Sequence, residues 1–129
     1  MGTWDATSFG NDDASDFAAD LVESGDAGMI AEALRAATDN GDYLEAPESH
    51  QAITAAEVVA AMNGHSAVDL PEELASWVTE QGAAGDDLVA LARRAVERVA
   101  SDSELKELWG EGDASEWEAH VSDLQRRLA

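Results

Sequence analysis

Cysteine is absent from the 129 residues, so a disulfide framework, thiolate chemistry and a Cys-based zinc site are all excluded. Any metal would have to be held by His or carboxylate. Bases are scarce as well: seven Lys and Arg stand against 28 Asp and Glu, for a net charge of -21. That field works against direct binding to nucleic acid or to an anionic membrane, because both depend on Lys and Arg meeting phosphates. It also makes the surface repel itself, so the fold is expected to gain stability as salt screens the charge. No apolar run approaches the roughly 20 residues of a membrane span, and Met1-Gly2-Thr3-Trp4 lacks the basic, then apolar, profile of a signal peptide. Gly2 does not complete a myristoylation motif, since Ala6 stands where Ser or Thr is required. A cytoplasmic protein is the expectation.

Large apolar side chains are also few. Leu, Ile, Val and Phe make up 24 of 129 residues, a composition that at this net charge leans toward disorder. What opposes disorder is a supply of 26 Ala, three Met and four Trp, set at helical intervals between clear stop signals. A single folded domain over 1–129 with a thin core is expected.

Helical periodicity recurs along the chain, and no alternating pattern long enough for a strand competes with it. An N-terminal arm, 1–10, holds Trp4 and Phe9 and is expected to lie on the core. Asn11, Asp12 and Asp13 then cap a helix striped by Ala14, Phe17, Ala18, Leu21 and Val22 and stopped near Gly25. Asp26 caps a second, with Met29, Ile30, Ala33, Leu34 and Ala37 inward and Asn40-Gly41 as its stop. After the extended lead-in from Tyr43 to Pro47, a third helix over about 48–63 has no broad polar face, which marks it as the buried central helix. A fourth helix carries Leu74, Trp77 and Val78, and a fifth carries Leu88, Leu91, Ala92, Ala95, Val96 and Val99. Ser101 to Glu104 reads as a capping box opening a short helix with Leu105, Leu108 and Trp109. A last helix follows with Trp117, Val121, Leu124 and Leu128 at core spacing, and with Arg126 and Arg127 suiting its C-terminal dipole. The fold class is therefore all-α: a compact orthogonal or antiparallel bundle of six or seven short helices.

Catalytic motifs are missing. There is no phosphate-binding Gly-Lys-Ser/Thr loop, no dinucleotide fingerprint, no nucleophile elbow, no His-Glu-x-x-His and no calcium loop. None of His50, His65 and His120 has Glu three residues before it, as a carboxylate-bridged di-metal bundle needs. No catalytic residue, metal site or cofactor is assigned. Two constellations remain as candidate ligand sites. Asn11, Asp12, Asp13 and Asp16 beside Trp4 and Phe9 could hold a hard cation or a cationic partner, or could simply cap and solvate the first helix. Glu57 lies on the apolar third helix and is expected to be buried, where a carboxylate must find a partner or shift its pKa. Its structural reading is an internal pair with Arg35, Arg93, Arg94 or Arg98; its functional reading is a base or ligand with Tyr43, Glu45 or His50 nearby. Glu116 and His120, four apart on one helix face, read as a surface hydrogen bond.

The opening Met1-Gly2-Thr3-Trp4, with Phe9, Asn11-Asp12, Ala14, Asp16 and Phe17, resembles the start of a bacterial and archaeal domain-of-unknown-function family, number 4259 in its series. Tyr43-Leu44-Glu45, Ala55 to Ala60, and Asp102 through Trp109 to Trp117 extend the resemblance over nearly the whole chain. Asp5 and Thr7 stand where that family has glycines, so any glycine-lined role for the arm does not carry over. The resemblance implies no activity, but it favours Trp4, Asn11, Asp12, Asp16, Glu45 and Glu57 as residues of interest.

Function is left with three readings. The leading one is a non-enzymatic interaction or regulatory module that meets a basic protein surface. The alternatives are a small enzyme or metal-binding protein using Glu45, His50 and Glu57, and a DNA mimic, which would need an elongated double row of carboxylates. Oligomeric state is not legible.

Overall fold

Every side chain from Ala52 to Ala61 is buried, and a helix with no solvent face has only one place to go. In the computed structural model, which describes residues 12–26, 28–39, 44–65, 72–101, 103, 106–107 and 115–128, this helix is the axle of the molecule. Six helices and no strand are found among the described residues: α1 (Asp12–Ser24), α2 (Gly28–Thr38), α3 (Ala46–Met62), α4 (Glu72–Gln81), α5 (Asp86–Ser101) and α6 (Ser115–Leu128). All five others pack against α3, while α2 and α6 also meet α5, and α1 meets α4. The all-α bundle is thus built around the third helix. The arm over 1–10 lies outside the described residues, as do Asn40-Gly41 and Trp109.

Alanine explains how five neighbours reach one helix. Ala52, Ala55, Ala56, Ala60 and Ala61 present little bulk, so backbones approach closely, and Ile53, Val58 and Val59 fill what is left. Leu21, Ile30, Leu34, Leu74, Val96, Val99 and Leu124 close the core from the surrounding helices. The buried Thr54 hydroxyl donates to the His50 carbonyl at 2.8 Å, which satisfies it within the helix. Trp77 differs: its indole N–H is buried with no acceptor among the described residues.

The helix ends follow local chemistry. Asp26 caps α2, its Oδ1 accepting the Gly28 amide at 2.9 Å. α3 starts at Ala46, earlier than its periodicity suggests, because Pro47 falls in the first turn, where no amide partner is needed. Its C-terminus is a Schellman motif. The His65 amide donates to the Ala60 carbonyl at 2.9 Å, the Gly64 amide to Ala61 at 3.0 Å, and Gly64 turns the chain with φ +85°. No atom of the described residues crowds the position a Gly64 Cβ would take, so Gly64→Ala is expected to cost about 1–2 kcal/mol in urea denaturation from the left-handed backbone alone. A cost near zero would mean that the turn relaxes into another conformation.

One cap differs from its sequence reading. Ser101 is the last residue of α5, its hydroxyl donating to the Glu97 carbonyl at 2.8 Å. The capping residue is Ser103, whose buried Oγ accepts the Lys106 amide at 3.1 Å and donates to the Val99 carbonyl at 2.7 Å. From position 103 the hydroxyl serves both the Val99 carbonyl in the last turn of α5 and the Lys106 amide beyond it, whereas Ser101, inside α5, turns back to Glu97.

Candidate functional site

Glu57 is fully buried on α3, and α6 supplies its partners. Arg127 Nη1 donates to Glu57 Oε1 at 2.6 Å and Nη2 to Oε2 at 3.2 Å, a two-pronged contact that fixes both oxygens. The rest of the guanidinium is also engaged. Its Nε donates to Asp123 Oδ2 at 2.8 Å, one turn back on α6, and Nη1 donates a second time, to the His65 carbonyl at 3.2 Å. His120 Nε2 lies 3.4 Å from Glu57 Oε2. Asp123 in turn holds Arg126 at 3.0 Å on the surface.

Each element places its group for a local reason. The Schellman turn at Gly64 swings the His65 carbonyl back over the end of α3, where Arg127 meets it. On α6 the apolar stripe Trp117, Val121, Leu124 and Leu128 seats the helix on the core. The adjacent stripe, His120, Asp123 and Arg127, is thereby carried to Glu57. Burial opposes the charged form of Arg127, but hydrogen bonding and charge from Glu57, then from Asp123, outweigh it and hold its pKa above the usual value. The sign follows: a raised guanidinium pKa stabilises the fold at every pH below the unfolded value and is lost only as pH rises through the raised one. Arg127 therefore stays charged across the acid and neutral range.

The pairing expected for Glu57 is present, with a different base. Arg35, Arg93 and Arg94 are exposed. Arg98 donates instead to the Ala37 carbonyl at 3.3 Å, in the last turn of α2. His120 is not confined to the surface, since it faces Glu57. The proposed companions are not gathered at this carboxylate either. Glu45 is an exposed N-cap about 18 Å along the helix from Glu57, and His50, though buried, is about 10 Å away. Tyr43, Trp4 and Asn11 lie outside the described residues, as does the side chain of Asp12.

Asp16 sits elsewhere, in a groove. α1 and α2 both lean on α3, and a hollow of about 290 Å³ opens between them, lined by Asp16, Phe17, Asp20, Met29, Glu32 and Gln51 with the small Ala33 and Ala36. Among the described residues, no group of three His, Asp or Glu side chains is placed to hold a metal ion, in this groove or elsewhere. No described helix is long and apolar enough to cross a membrane.

A family model described as Domain of unknown function (DUF4259) matches residues 2–120. The match takes in Glu57 and His120 and ends before Asp123 and Arg127. No curated protein and no solved structure matches the chain.

Proposed function

The chain belongs to the DUF4259 family, and within it we propose that this protein is a non-enzymatic interaction or regulatory module that meets a basic protein surface through its exposed carboxylates. The observation that carries this reading is the state of Glu57. Among the described acids that the sequence marked for chemistry, Asp16 and Glu45 are exposed while Glu57 is fully buried, and both of its oxygens are held by Arg127. Its strongest contact is with a permanent cation rather than a proton carrier, and His120, 3.4 Å from Oε2, reaches it from the same helix, so the carboxylate is engaged inside the fold. The acids left for a ligand are the exposed ones, and their number gives the surface its field.

Charge-driven association has a clear signature. Partners captured by the full chain at low salt should be basic, and their affinity should fall about tenfold or more as salt rises from roughly 50 to 500 mM. Glu57→Gln, which keeps the shape of the side chain, should leave that binding within about twofold. Partners that are acidic, or binding indifferent to salt, would overturn the reading, as would a Glu57→Gln loss of binding in a chain that remains folded.

A further inference from the structure

The groove between α1 and α2 combines two features that are rarely useful apart. Its floor is apolar: Phe17 and Ala33 are buried beneath it, Met29 is half-buried, and Ala36 is open to solvent. Its rim is acidic. Asp16 and Asp20 are one turn apart on α1, which puts their Cβ atoms about 5–6 Å from one another, and Glu32 faces the same hollow from α2. All three carboxylates are exposed, and none has an ion-pair partner among the described residues.

We propose that this groove docks an amphipathic helical segment of a partner protein, which seats one or two large apolar side chains on Met29 and Ala36 between flanking Lys or Arg residues. The inference rests on the interaction-module reading and assigns it a site. The dimensions favour a segment over an enclosed small molecule, since about 290 Å³ lies at the small end of ligand cavities and the hollow is open to solvent rather than enclosed. Met29, Ala33 and Ala36 recur at helical spacing on α2, so the floor is a strip along which anchors three or four residues apart can lie. Met suits the role because its unbranched thioether adapts to different anchors, and Ser24 Oγ, 3.2 Å from the sulfur, steadies it. Lys and Arg complete the match: their stems cover the apolar strip while their charges reach Asp16, Asp20 and Glu32. A neutral partner would leave three carboxylates unmatched at the rim, and an acidic one would be repelled.

The test uses the full chain and a labelled Leu-Lys helical peptide as probe, followed by fluorescence anisotropy, with a Gly-Lys peptide of equal charge as control. The Leu-Lys peptide should bind about tenfold tighter than the control, and Asp16→Asn with Asp20→Asn and Glu32→Gln should abolish that preference. Neutralising Glu72, Glu73 and Asp86, equally exposed at the starts of α4 and α5, should change it less than about threefold. Both sets of changes relieve self-repulsion, so neither is expected to unfold the chain. Equal losses from the two sets would overturn the groove while leaving the interaction module intact; failure of both peptides to bind at low salt would sink both. The groove assignment also fails if the free chain sediments as a dimer that only the groove variant dissolves. It fails equally if Trp4→Ala with Phe9→Ala raises peptide affinity about tenfold, which would give the groove to the chain's own arm.

Discussion

Arg127→Ala is expected to destabilise the protein by about 3–5 kcal/mol, the largest effect of any single surface-reaching side chain in the fold. The loss exceeds what the ion pair adds, because removing the guanidinium takes the two-pronged cation from a carboxylate with no exposure to water, to which His120 at 3.4 Å is a looser substitute. It also takes the Nη1 donor from the His65 carbonyl and releases Asp123. Arg127→Lys should recover only part, since an ammonium cannot grip both oxygens of Glu57 while also serving Asp123. The informative control is the double variant Glu57→Leu with Arg127→Met, which removes both charges and should return most of the lost stability. Urea denaturation of the four proteins checks the set. A cost below about 1 kcal/mol for Arg127→Ala would mean that water reaches Glu57 and that the pair is not a buried one.

That pair also shows where the sequence is informative and where it stops. Burial of Glu57 is legible, because Ile53, Ala56 and Ala60 surround it on a helix without a polar face. Its partner is not, because Arg127 lies 70 positions away and periodicity carries no information on which helix meets which. The bases nearest in the chain attracted the assignment, yet Arg98 is drawn to a free carbonyl of α2. A signal did exist on α6: His120, Asp123 and Arg127 form a polar stripe beside an apolar one, and a polar stripe at the edge of a buried face asks for a polar counterpart. The helices themselves follow from caps and stops such as Asp26, Gly25 and Gly64. Where two caps compete within three residues, as Ser101 and Ser103 do, only geometry decides. The acidic groove was half legible: Asp16 stood out, whereas Asp20, Met29 and Glu32 join it only because α1 and α2 lean on a third helix.

Leu34→Ala should have the next largest effect, about 2–5 kcal/mol, and that effect should decide whether the chain folds at all in low salt. Leu34 is fully buried on α2, which packs on both α3 and α5, so the vacated volume is bounded by two rigid helices and collapses poorly. More than half of the buried core around it is alanine and valine, short side chains that fill a gap poorly. In a typical domain such a loss is a large share of a total of about 5–15 kcal/mol. Here it falls on a core thin in large side chains, wrapped in a surface whose net charge of -21 pushes it apart. Screening contracts that repulsion, from a reach of about 30 Å at 10 mM salt to about 3 Å at 1 M. The variant is therefore expected to be largely unfolded by far-ultraviolet circular dichroism in 10 mM buffer and to regain helix on addition of about 1 M NaCl, while the parent stays helical at both. Equal stability of the variant at both salt concentrations would show that the negative surface is already relieved within the fold, and that its carboxylates are not spaced to repel.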